Sequence, residues 1–139
     1  KSFEAGKAKP LAKGEITVES QDNDPESILN WTRELIALRK TSEALWADSK
    51  FIPIFHEEQP YPMIYLRTNG IETFLIALNP TGTRKSVKVN AEVAEYRSAT
   101  KDIKGNVVPV KTLGKGSYKR TPKGDTITLE PTSGIIVRL

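Results

Sequence analysis

Three pairs of acids, Glu57/Glu58, Asp22/Asp24 and Glu92/Glu95, and the single histidine, His56, are the residues of this 139-residue chain with the plainest chemical capacity. Two carboxyls about 5–5.5 Å apart, one of them with a raised pKa, can cleave an acetal as acid and nucleophile. Glu57 and Glu58 are neighbours at the end of an expected strand, so their side chains point to opposite faces and cannot converge. Asp22 and Asp24 stand where a helix start needs oxygen acceptors, which explains them without catalysis. Glu92 and Glu95 are given no catalytic role either. His56 has no ligand spacing of His, Asp or Glu around it and no triad partners, so it reads as a polar residue at a strand end. Gly114-Lys115-Gly116-Ser117 lacks the four-residue spacer of a phosphate loop, and no helix follows to offer its N-terminus. No catalytic, cofactor-binding or metal-binding residue is therefore assigned.

The elements around these residues are those of an ordinary globular protein, with 37% hydrophobic and 27% charged residues. Cysteine is absent, which excludes disulfides and thiolate metal sites. The longest apolar run, Phe74 to Leu78, is strand-sized, so no membrane association is expected. The net charge of +4 is spread among 17 acids rather than gathered into a stripe, which argues against nucleic acid as a partner. The chain opens Lys1-Ser2-Phe3 with neither an initiating Met nor an apolar leader. It reads as a piece of something longer, and its localisation is not assigned.

Residues 1–23 carry no apolar period and read as a linker, with one short extended piece at Ile16–Val18. Asp24-Pro25-Glu26 then supplies a capping side chain, a first-turn proline and an acid. Ile28, Leu29, Leu35, Ile36 and Leu38 recur at helical spacing, predicting a helix from Pro25 to Lys40 with a further turn at Glu43–Trp46. After Lys50 the period changes from 3.6 to 2. Strands are expected at Phe51–His56, Met63–Thr68, Ile71–Leu78, Arg84–Val89, Val93–Ser98, Val107–Val110, Thr126–Leu129 and Gly134–Leu139. Turn residues separate them, with Asn69-Gly70 the clearest hairpin and Gly114–Gly124 a basic loop. The expected fold is mainly β: an antiparallel Greek-key sandwich of about eight strands with an N-terminal helix. The expected organisation is 1–23 linker, 24–49 helix and turn, and 50–139 all-β domain.

A sandwich buries its own core and has no need of a helix with a wide apolar face. The order does resemble the end of α-amylase-family glycoside hydrolases, close to α-glucosidases and trehalulose- or trehalose-forming members. Asp24-Pro25-Glu26-Ser27-Ile28-Leu29-Asn30-Trp31 followed by Leu35-Ile36-Ala37-Leu38-Arg39-Lys40 is similar to that family's last barrel helix. Ser42-Glu43-Ala44-Leu45 is similar to its continuation, departing where the family usually has His-Pro. Phe74-Leu75-Ile76-Ala77-Leu78-Asn79 and Gly134-Ile135-Ile136-Val137 resemble strands of its C-terminal β-domain. The resemblance implies a non-catalytic accessory domain whose partner is a missing catalytic barrel acting on α-glucans or α-glucosides by hydrolysis or transfer. The family's three catalytic carboxylates lie on earlier barrel strands, and the motifs that carry them do not occur here.

Aromatic faces are the other candidates for contact with such substrates. Tyr61, Tyr118 and Trp46 are the candidate carbohydrate contacts, with Tyr118 expected in the exposed basic loop and Tyr61 exposed between two prolines. Core or interdomain packing accounts for Tyr65 and Tyr96, and is also the default for Trp46. Ile28, Trp31, Leu35 and Ile36 form the helix face that loses its partner in a fragment, and burial against the sandwich or self-association through that face is expected. A carbohydrate-binding module and a basic interaction domain are the alternative readings.

Overall fold

The computed structural model describes residues 16–54, 60–89 and 92–139. Two compact units are present, Lys1–Ile36 and Ala37–Leu139.

In the first unit, helix α1 (Val18–Asp22) replaces the extended piece expected at Ile16–Val18. Its cause is local: the Thr17 hydroxyl accepts from the Ser20 backbone N–H at 3.0 Å, and the Ser20 hydroxyl oxygen accepts from the Thr17 N–H at 2.9 Å. This reciprocal capping box satisfies two donors that an extended chain would leave to water. Helix α2 spans Ile28–Thr41, beginning three residues later than expected. Asp24 does not cap it; its carboxylate accepts from the Glu26 N–H in a tight turn at 3.0 Å. Ser27 caps instead, its hydroxyl accepting from the Asn30 N–H at 3.2 Å.

The second unit is a two-sheet antiparallel sandwich. A 3₁₀ turn, Glu43–Leu45, leads into β1 (Lys50–Pro53), β2 (Met63–Thr68), β3 (Thr73–Asn79) and β4 (Lys85–Lys88). Helix α3 (Ala94–Thr100) follows, then β5 (Gly105–Val107), β6 (Lys111–Leu113), β7 (Gly116–Thr121), β8 (Gly124–Leu129) and β9 (Ser133–Arg138). One sheet has the order β1-β2-β3-β9-β6 and the other β4-β8-β7-β5. Leu66, Leu75, Ala77, Tyr118, Ile127, Leu129, Ile135 and Val137 fill the space between them and are almost wholly buried. The sheets approach closely at Gly116, where a Cβ would lie 2.8 Å from Cγ2 of Ile135 on the opposing sheet.

Three expectations for the second unit are corrected. The segment Val93–Ser98 is not a strand: Val93, Tyr96 and Thr100 recur at helical spacing and α3 packs them inward. The single strand expected at Val107–Val110 is two short strands in different sheets, with Pro109 at the crossing. The basic loop is mostly β7, a central strand. The Asn69-Gly70 hairpin stands as expected. Gly70 takes a φ of +90°, and the Asn69 side-chain oxygen accepts from the Ile71 and Glu72 N–H groups.

Candidate functional site

The five-stranded sheet has two apolar faces, which is the feature that needs a functional explanation. Along β3, Leu75 and Ala77 face the sandwich core, while Phe74, Ile76 and Leu78 face the other way. Leu38, Ala44 and Leu45, from the end of α2 and the 3₁₀ turn, cover the middle of this outer face. Phe74 is fully buried there, with the Arg138 guanidinium 5.2 Å from its ring centroid. The cover does not extend to the sheet's ends. Phe51 and Met63 are 55% and 41% exposed, and Leu78 and Ile136 are half-buried. Phe51 stacks on Tyr65 at 4.8 Å between centroids, which prolongs the apolar surface along β1 and β2.

Beside the hairpin β2–β3 lies a groove of about 850 Å³, lined among others by Trp46, Asp48, Asn69, Ser98 and Lys101. Trp46 is 44% exposed and lies outside the buried core. Its indole N–H donates to the Arg39 carbonyl at 3.0 Å, and its own carbonyl accepts from the Arg67 guanidinium. Lys50 and Glu95 form an ion pair across the groove wall at 3.0 Å. The hydrogen bond from Lys50 holds the Glu95 carboxyl below its ordinary pKa.

Tyr118 is not on an exposed loop. It is 1% exposed, because β7 alternates and places Tyr118 and Arg120 on the inward side. Its hydroxyl lies 2.6 Å from that of Tyr96, which in turn donates to the buried Asp125 carboxylate. Arg120 donates its Nε–H to the same carboxylate at 2.9 Å and reaches the carbonyls of Thr100 and Ile103, at the end of α3. This cluster ties α3 to the four-stranded sheet. Burial pushes the Tyr118 hydroxyl up to about 12, and burial with the Asp125 contact pushes Tyr96 up further. A raised tyrosine pKa favours the neutral folded form. The stability it contributes is therefore whole below about pH 10 and is lost as pH rises toward 12 and beyond. We expect the tyrosinate absorbance at 295 nm to show Tyr96 and Tyr118 ionising only together with alkaline unfolding.

The remaining sequence candidates separate. Tyr61 is half-buried and does not line the groove. Ile28 and Ile36 are 79% and 50% exposed, Trp31 and Leu35 are half-buried, and α2 has no fully buried residue. Asp22 pairs with Arg33 rather than with Asp24. His56, Glu57 and Glu58 lie outside the described residues. Among the described residues no group of three or more His, Asp or Glu could hold a metal ion, and no helix is long and apolar enough to cross a membrane.

Sequence reasoning missed the Tyr96–Asp125–Arg120 cluster and the outer face of β3. The first had a legible signal in the helical spacing of Val93, Tyr96 and Thr100. The second is visible as Phe74-Leu75-Ile76-Ala77-Leu78, a run with no polar residue on either face, as expected of a strand covered on both sides.

No family model matches the sequence, and no curated protein is similar to it by sequence. Solved structures are more informative. The α-amylase from H. orenii superposes with a TM-score of 0.64 at 17% identity, over 88% of this chain and 22% of that enzyme. Isomaltulose synthase from Erwinia rhapontici NX5 gives 0.65 at 21%, over 86% and 19%. Trehalose-6-phosphate hydrolase from Bacillus licheniformis gives 0.65 at 21%, over 88% and 20%. The chain has a fold found in α-amylase-family enzymes. It spans about a fifth of the length of these three enzymes. Asn79, the last residue of β3, does structural work. Its amide donates to the carbonyls of Thr83, Leu129 and Glu130, and its oxygen accepts from Thr81, joining the turn after β3 to the end of β8.

Proposed function

We propose that this chain is the C-terminal accessory domain of a larger α-amylase-family enzyme acting on α-glucans or α-glucosides. Residues 24–49 supply the last helix of the catalytic barrel and the turn after it, and 50–139 form the β-domain. The observation that carries the reading is the outer face of the five-stranded sheet. A strand apolar on both sides is made to be covered on both sides, and Phe51 and Met63 mark where the cover supplied by this chain stops. Ile28, Trp31, Leu35 and Ile36 form the apolar face of α2 that this reading assigns to the barrel. A further fourfold length of chain in the structural relatives is room enough for the body that supplies the missing partner.

The role is non-catalytic: the domain shields apolar surface of the barrel and stabilises it. Glu95, Asp125 and Asp22 are each engaged by a cation, which suits none of them to act as acid or nucleophile. The 139-residue chain assayed alone on maltose, starch and p-nitrophenyl α-glucoside is expected to give no turnover above the uncatalysed rate. Clear hydrolysis or transglycosylation would contradict the reading.

A further inference from the structure

We infer that the outer face of the four-stranded sheet docks electrostatically onto an anionic phospholipid surface. Charge is divided unevenly along the chain. Residues 84–139 hold 12 Lys and Arg against 5 Asp and Glu, a net +7 in a chain whose total is +4. The fold gathers much of that excess on one face. In β4, β7 and β8 the inward positions belong to Val87, Tyr118, Ile127 and Leu129. Alternation therefore turns Lys88, Ser117, Lys119, Thr126 and Thr128 outward. Lys88 and Lys119 both stand opposite Thr126, one on each side. Arg84 and Lys115 continue the alternation at the other end, beside Glu130. Lys104 and Lys123 are exposed just before β5 and in the turn before β8.

Glu130 pairs with Arg84 at 3.3 Å, whereas Lys88, Lys115 and Lys119 make no ion pair among the described residues. Strands about 4.8 Å apart put Lys88 and Lys119 about 10 Å from one another across the sheet. Along β7, Lys115 stands about 13 Å from Lys119 at about 3.4 Å per residue. These cations occupy a plane rather than a line. A planar array of phosphates meets all of them at once, while a single linear polyanion meets one row. Tyr118 is the one aromatic residue of these four strands, and it points inward, so the face offers no ring to a nucleic-acid base. Ser and Thr hydroxyls between the lysines can donate to phosphate oxygens. Val108, just beyond β5, is 84% exposed and adds an apolar contact at the rim. The lack of a long apolar run bears on crossing a bilayer, not on lying against one. This face is on the side of the sandwich away from Phe51 and Met63, and its use does not depend on the accessory-domain role.

The test is co-sedimentation of the 139-residue chain with vesicles of phosphatidylcholine alone and of an equal mixture of phosphatidylcholine and phosphatidylglycerol. Binding to the mixed vesicles alone is expected, and raising the salt should abolish it. Lys88→Gln with Lys119→Gln should weaken that binding about twentyfold, since each cation near an anionic leaflet is worth about a factor of five. Both lysines are exposed, so the variant should fold. Arg39→Gln with Lys40→Gln removes the same charge from α2 and should change binding by no more than about twofold. Absence of binding by the wild-type chain, equal binding to neutral vesicles, or an equal loss in both double variants would each overturn the assignment. Tighter binding to duplex DNA than to the mixed vesicles would overturn it as well.

Discussion

Replacing Asp125 with alanine is expected to lower the unfolding free energy of the β-domain by about 3–5 kcal/mol, read from a denaturant titration. The carboxylate is 4% exposed and is the shared acceptor of the Tyr96 hydroxyl and the Arg120 Nε–H. Its removal leaves a largely buried guanidinium and a buried phenol short of a partner, and an unmatched buried charge costs more than the intact pair contributes. The tie between α3 and β7 should loosen at the same time, because Arg120 also holds the Thr100 and Ile103 carbonyls. Amide exchange should accordingly rise first across Ala94–Thr100. The double variant Asp125→Ala with Arg120→Met should recover part of the loss, since both charges then disappear together.

Phe74→Ala is expected to cost about 3–5 kcal/mol by the same measurement, as deletion of a fully buried aromatic ring usually does. Phe74 is on the outer face of β3, beneath Ala44, and loses its contacts with Ile76, Leu38 and Leu45 as well as the Arg138 guanidinium above it. Met63→Thr, on the same face but beyond the cover, should change stability by no more than about 0.5 kcal/mol. The contrast matters more than either value. One face of one sheet then contains both core and exposed apolar surface, and the boundary between them falls where the cover given by Leu38, Ala44 and Leu45 ends.

The residues that made the fold legible are those whose pattern is set by near neighbours. Alternation in Met63–Thr68 and the Asn69-Gly70 turn place β2 and its hairpin correctly, because register there is fixed by the turn and by one buried face. The helix at Ile28–Thr41 was legible from its period, though its start was not: Asp24 and Ser27 both carry capping oxygens, and Ser27 caps because Asp24 is engaged in a turn. The failures share a different cause. In β7 an arginine occupies an inward position, so the alternation of Ser117-Tyr118-Lys119-Arg120 does not read as apolar and polar. Its acceptability depends on Asp125 across the hairpin, a pairing that composition cannot reveal. Val93–Ser98 carries β-branched and aromatic residues typical of strands, but tertiary packing of Tyr96 and Thr100 against the core selects the helix. The same limit applies to the groove: Trp46 is identifiable in the sequence, whereas Asn69 and Ser98 come beside it only through the fold.

The central proposal is that this chain ends a larger enzyme whose barrel covers the exposed part of the sheet's outer face. Reading the coding sequence upstream of Lys1 tests that claim most directly. The account predicts an uninterrupted frame of alternating strands and helices, with an aspartate, a glutamate and a second aspartate at the C-terminal ends of its strands. A start codon immediately before Lys1, or an upstream region with no such barrel pattern, would contradict it.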